Sequence, residues 1–324
     1  MSSSPDLFRN ADLALYAAKD RGRGVVVTYR NDLHVKMLER VTRTCDLRRA
    51  LDEGQLHLLY QPIVSIETGE VMGVEALARW LHPQRGPVAP REFITVAEQS
   101  GLILELGRWV LSEACRQAQA WRVIAPDIRL SVNASGRQVQ RRDFVDEVAA
   151  VVDQYDIPPG GLAVELTESV LMHEGLGTPG KLAALHDLGA LVAIDDFGVG
   201  YSSLGYLQRF PIDILKIDKS FVDNLGADGG RAGALARAVI SMAHALGMEA
   251  IAEGVELPAQ RDELWSLGCP LAQGYLYARP LPPEAITATL VQHTCLGPSA
   301  PRVGHRSLQP PGPRRPPSVI QDPV

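Results

Sequence analysis

The sequence predicts an α/β fold, a (β/α)8 TIM-like barrel with an antiparallel first strand, and three observations predict it. Between residues 55 and 290, eight short apolar runs alternate with helical patterns, which argues for a barrel rather than an open sheet. Those runs end in acids, amides or a lysine, so a barrel would gather chemistry at one rim. The first two runs are joined only by Glu67-Thr68-Gly69-Glu70. Parallel neighbours need a crossover of a dozen or more residues, so this pair must be antiparallel.

The elements follow in order. Residues 5–24 carry an amphipathic helix signal that Gly22 and Gly24 stop, and Val25–Tyr29 then reads as a strand. One helix and one strand cannot bury a core, so this piece reads as an orphan or as the tail of a larger domain. Residues 31–54 read as a linker helix. Strands are expected at 56–66, 71–79, 128–134, 162–167, 191–196, 212–217, 248–253 and 270–274. Helices are expected at 91–99, 105–122, 141–155, 181–188, 232–246 and 258–267. A doubly wound sheet would want a glycine-rich phosphate loop after its first strand, and none is present. Residues 291–324 form a Pro- and Arg-rich tail, including Pro310-Pro311-Gly312-Pro313-Arg314-Arg315, that cannot bury enough apolar area to fold.

Bulk properties narrow the class. With 46% hydrophobic and 22% charged residues over 324 positions, the chain has the composition of a globular enzyme. A net charge of −6 supplies none of the positive field that a nucleic-acid polymer selects. The four cysteines have no CxxC spacing and read as reduced thiols of a cytoplasmic protein. The first residues lack the apolar core of a signal peptide, and no apolar stretch is long enough for a membrane span.

Strand alternation sets the polar residues apart. Ser131 and Asn133 oppose Ile128, Leu130 and Val132, while Glu165 and Thr167 oppose Leu162, Val164 and Leu166. Glu75 and Arg79 share a face of the second strand. Glu75, Glu165, Asp195, Asp196 and Glu253 would then converge, with Lys216 and Arg79 as the nearby cations. Two like charges about 4 Å apart repel by roughly 4 kcal/mol in a partly screened site. Such a cluster must protonate or hold divalent cations, and oxygen donors with an amide favour Mg2+ or Mn2+ over zinc.

The motifs, in order, are Tyr60-Gln61-Pro62, Glu75–Trp80 (EALARW), Pro90 with Phe93-Ile94, Asn133-Ala134-Ser135, Glu165–Glu168 (ELTE), Asp195–Leu204 (DDFGVGYSSL), Leu215–Asp218 (LKID), Ala252–Glu256 (AEGVE) and Gln273-Gly274-Tyr275. Together, over residues 35–290, they resemble the EAL domain, the cyclic-di-GMP phosphodiesterase family. The resemblance implies hydrolysis of cyclic-di-GMP to linear pGpG in bacterial second-messenger signalling, with two Mg2+ or Mn2+ ions per site. It implies one ion on Glu75, Asn133, Glu165 and Asp195, and a second on Asp195, Asp196 and Glu253. Lys216 would orient or help deprotonate the attacking water. Gln61, Arg79 and Gln273 would contact substrate or lie beside the metals. Glu168 would anchor the loop Phe197–Ser203, which the resemblance links to homodimer formation, and Asp218 and Glu256 would support the site. The first 30 residues resemble the last helix and strand of a GGDEF domain, without its catalytic signature.

Two other readings compete. EAL-like domains can lose catalysis and serve as cyclic-di-GMP receptors or protein-interaction modules, but such members lack metal-site residues and none is missing here. An enolase-type Mg2+ barrel also uses strand-end acids but leaves the Asp195–Leu204 loop unexplained.

Overall fold

The computed structural model describes residues 24–171, 177–198, 209–223 and 231–297, with isolated positions 8, 10–12, 14, 15, 18, 207 and 225. Residues 199–203 of the expected loop, 298–324 of the expected tail and most of the helix expected at 5–24 lie outside the described residues. The chain divides into two compact units, Met1–His57 with Arg79–Leu106, and Leu58–Ala78 with Gly107–Val324.

Within the first unit, helix α1 (Asn31–Asp52) packs on α2 (Pro90–Ser100), which opens on a proline and closes at Gly101 in the left-handed conformation (φ 86°). Leu47, Ala50, Trp80, Phe93 and Ala97 are buried there. Trp80 meets Phe93 edge-on and donates its indole N–H to Gln55 Oε1 at 3.2 Å, so the large ring is buried with its polar atom satisfied. The segment expected as a strand at Val25–Tyr29 has no regular structure, and Val26 is 98% exposed. A strand is set by the neighbours it packs and pairs with, so β-branched composition alone does not make one.

The barrel is built from β1 (Leu56–Ser65), β2 (Val71–His82), β4 (Arg129–Asn133), β5 (Leu162–Thr167), β6 (Leu191–Phe197), β7 (Ile214–Ile217), β8 (Glu249–Ala252) and β9 (Leu271–Ala272). Their order is β1-β9-β8-β7-β6-β5-β4-β2, and β1 also pairs with β2, which closes the ring. β1 runs antiparallel to β9, while the pairs from β9 round to β2 are parallel, as the four-residue connection requires. A short strand, β3 (Gly86–Val88), pairs antiparallel with the end of β2 and was not expected from the sequence.

The helices after α2 are α3 (Ile103–Arg122), α4 (Gly136–Gln140), α5 (Phe144–Gln154), α6 (Glu168–Leu171), α7 (Thr178–Asp187), α8 (Lys219–Val222), α9 (Arg231–Ala245), α10 (Pro258–Ser266) and α11 (Pro283–Val291). The helix expected at 141–155 is α5, which starts later at Phe144; the short α4 before it, ended by extended Arg141 (ψ 146°), was not expected. α7 packs on β6, and α9 packs on β7 and β8. They cover outward residues such as Val192, Ile194, Leu215 and Ala250, all fully buried.

Inside the ring, side chains two residues apart form successive layers. At the N-terminal ends of the strands, Arg129 pairs with Glu249; β4 and β8 lie four places apart round the ring, so this ion pair spans it. Above it, Ile63, Ala163, Ala193, Ile214, Ile251 and Leu271 form an apolar layer. Two residues further along the same strands come Gln61, Glu165, Asp195, Lys216, Glu253 and Gln273.

Candidate active site

Lys216 is the centre of that last layer. Its side chain is 1% exposed, and Nζ lies 2.6 Å from Glu165 Oε2, 2.7 Å from Glu253 Oε1, 3.2 Å from Asp195 Oδ1 and 3.4 Å from Glu75 Oε2. Strands β2, β5 and β6, and the end of β8, thus each send one carboxylate to a single ammonium. Glu75 is held further by Asn133 Nδ2 (2.7 Å, on Oε1) and Gln273 Nε2 (2.8 Å, on Oε2). The Asn133 amide nitrogen faces a carboxylate, so its oxygen is the atom left to take a cation.

Asp195 and Asp196 need a separate account. Consecutive strand residues point to opposite faces, so regular alternation would send one of these two acids away from the site. Between Ile194 and Phe197, however, β6 advances three residues while β7 advances two, from Leu215 to Ile217. The extra residue makes a bulge, and Asp196 sits in the left-handed region (φ 53°). Alternation breaks there, and Asp195, Asp196 and Glu253 each offer an oxygen within 4.8 Å of the others. A non-glycine residue held at positive φ is a strain that clusters at functional sites.

The electrostatics match the crowding. Burial raises Glu165 well above the usual carboxylate range, with Glu75 and Asp195 adding to it against Lys216. Burial pushes Glu253 up to about 8, opposed by Lys216 and reinforced by Asp195 and Glu75. Burial and the neighbouring Asp195 also raise Asp196. Burial works the same way on Glu75, but Lys216 and the hydrogen bonds from Gln273 and Asn133 outweigh it and hold that group low. Lys216 is opposed by burial, yet Glu165, Glu253, Glu75 and Asp195 raise it well above its ordinary value, so it stays a cation. One lysine faces five acids and cannot neutralise them.

The donor set fits divalent metal. It is all oxygen, it carries surplus negative charge, and Glu165 Oε1 and Gln273 Oε1 are buried without a hydrogen-bond partner. An acceptor buried in that way costs free energy unless a cation or donor meets it.

The other expected site residues fall around this group. Glu168 begins α6, is 9% exposed and accepts the Gly198 N–H at 3.4 Å, which ties it to the start of the loop after β6. Gly198 is at φ 99°, and a Cβ there would fall 2.5 Å from the Phe221 ring. Asp218 caps α8 by accepting the Ser220 N–H at 2.9 Å, and Glu256 pairs with Lys219 at 2.5 Å, so both brace α8 rather than the lysine at the centre. Gln61 Nε2 donates to the Ala278 carbonyl at 3.2 Å. Arg79 is half-buried on β2, four residues beyond Glu75. Sequence reasoning missed the close approach of Gly107 to Gln138; the Ser135-x-x-Gln138 run after Asn133, a capping-box pattern, was the available signal.

A closed (β/α)8 barrel with an antiparallel first strand and an all-oxygen acidic site at its C-terminal rim defines a class, and comparison with known proteins gives the family. Residues 44–280 match the EAL domain. The chain is 40% identical over 286 residues to the bifunctional diguanylate cyclase/cyclic di-GMP phosphodiesterase MucR of Pseudomonas aeruginosa, covering 88% of this chain and 42% of that protein. It is 40% identical over 282 residues to the cyclic di-GMP phosphodiesterase NbdA of the same organism, covering 87% of this chain and 36% of that one. The solved structure of the PaMucR phosphodiesterase in its c-di-GMP complex superposes with a TM-score of 0.72 at 41% identity, over 76% of this chain and 99% of that chain. This chain belongs to the EAL domain family. It spans 34–48% of the length of the curated relatives it matches.

Proposed function

We propose that this chain is a divalent-metal-dependent phosphodiesterase that opens cyclic-di-GMP to linear pGpG. The observation that carries the reading is the complete ring of Glu75, Asn133, Glu165, Asp195, Glu253 and Gln273 round Lys216, with Asp196 brought in by the bulge. Relatives named as cyclic di-GMP phosphodiesterases, and a solved relative in complex with c-di-GMP, support the substrate.

Glu75, Asn133, Glu165 and Asp195 would hold one Mg2+ or Mn2+, and Asp195, Asp196 and Glu253 a second. Such a pair, when bound, lowers the pKa of a water and draws charge from a phosphoryl oxygen. The chain's own residues do the rest. In hydrolysis the water oxygen bonds to phosphorus, one P–O ester bond breaks, and the leaving oxygen takes a proton. Lys216, ringed by four carboxylates, would orient the attacking water or help to deprotonate it. Glu253, whose Oε1 lies 2.7 Å from Lys216 Nζ, would stand beside the attacking water as a ligand of the second ion. Arg79 and Gln61 would meet the substrate.

The test is incubation of the purified chain with cyclic-di-GMP and Mg2+ or Mn2+, followed by nucleotide separation, with chelator as control. pGpG formation that chelator abolishes is expected; no pGpG from folded protein with either metal overturns the reading. A homodimer, cytoplasmic location and a GGDEF-derived N-terminal segment belong to the same proposal, the last in keeping with MucR being named a bifunctional diguanylate cyclase.

A further inference from the structure

Asn133 ends β4, and the residues after it are fixed one by one. The Ala134 N–H donates to the Glu165 carbonyl at 2.9 Å. Ser135 opens α4 with a capping box: its hydroxyl accepts the Gln138 N–H at 3.3 Å, while Gln138 Oε1 accepts the Ser135 N–H and hydroxyl, both at 3.0 Å. Beyond it, Lys181 Nζ donates to the Val139 carbonyl at 2.6 Å, pinning α4 at its far end.

Gln138 is 8% exposed, and its amide lies against α3 where residue 107 is glycine. A Cβ on Gly107 would fall 2.0 Å from Gln138 Nε2 and 2.5 Å from its Cδ. No side chain fits there while Gln138 holds Ser135. Glycine is the poorest residue but proline for a helix, and Gly107 is not at positive φ. Close approach is therefore what this position requires.

We propose that Gly107 is a positioning residue for Asn133. By leaving room for Gln138 it preserves the capping box two residues past the strand end, and that box aims the Asn133 amide at Glu75 and the cation between them. The inference rests on the metal-dependent reading above and adds a residue on α3 that touches neither metal nor substrate.

The test compares Gly107→Ala, Gln138→Ala and the double variant with the intact chain. Mn2+ uptake is measured by calorimetry on nucleotide-free protein, beside Mg2+ titrations of pGpG formation and melting without metal. Gly107→Ala should weaken Mn2+ uptake about tenfold, the usual loss when a residue behind a ligand is disturbed. Its rate should approach the parent's as Mg2+ saturates. Gln138→Ala should do the same. The double variant should be no worse than Gln138→Ala, because the amide that a methyl group at position 107 would strike is gone. Parent-like Mn2+ uptake by Gly107→Ala overturns the proposal, as do additive losses in the double variant or a rate deficit that Mg2+ does not restore. A parent chain that takes up no Mn2+ instead overturns the metal reading, and this proposal with it.

Discussion

Two adjacent layers of the same barrel differ in kind. One is Ile63, Ala163, Ala193, Ile214, Ile251 and Leu271; the other, two residues along the same strands, is Gln61, Glu165, Asp195, Lys216, Glu253 and Gln273. Both are largely buried, and the same strands carry them, two residues apart or just past the strand ends. The apolar layer is stabilised by leaving water; the ionic layer is destabilised, because several acids cannot stay charged beside one lysine. The stability of the first keeps the second assembled. Four experiments test that contrast.

The largest effect is expected in the ionic layer. Asp195→Asn removes the carboxylate common to both proposed cation sites, and turnover should fall on the order of 1,000-fold or more, unrestored by Mg2+. Its metal-free melting temperature should hold or rise, since one repelling charge is gone. Initial rates with calorimetric melting check both, and near-parent turnover would show that Asp195 does not bridge. Lys216→Met comes next: the acids lose the cation at their centre, and unfolding in chelator should be easier by about 3–5 kcal/mol, the cost of breaking a buried ion pair. Added Mg2+ should return more stability to this variant than to the parent.

In the apolar layer, Ile251→Ala should cost about 2–5 kcal/mol in denaturant titrations. The folded fraction should keep its turnover. The smallest effect belongs to the ion pair at the other end of the ring. Glu249→Gln should cost less than about 1 kcal/mol, because both partners are partly exposed, and should leave turnover unchanged. A larger loss would show that this pair braces the barrel.

Much of this contrast was legible in the sequence. Alternation in Leu162–Thr167 and Ile128–Asn133 separates a helix-facing side from a polar side, and the four-residue link forces the antiparallel start. What was not legible has identifiable causes. β9 is only Leu271–Ala272, and beyond it the backbone at Gly274 comes so close to Val255 that a Cβ would fall 2.1 Å from its carbonyl oxygen. Val25–Tyr29 has the composition of a strand but takes no regular structure, and pairing is a tertiary fact. Asp195 and Asp196 were both expected at the site, yet plain alternation would have sent one of them outward. Only the backbone of Asp196 resolves that conflict. The roles of Arg79 and Gln61 depend on a substrate that neither periodicity nor packing describes.

That kink in β6 sets a limit on what a barrel rim can hold. Each strand ordinarily seats one inward side chain per level, so the number of ligands at a given height is capped by the number of strands. The bulge adds a seat without adding a strand, at the expense of one residue in an uncomfortable backbone well. A barrel with regular strands would have to recruit its extra acid from a loop, where position is less well fixed. Here the additional carboxylate is mounted on the sheet itself.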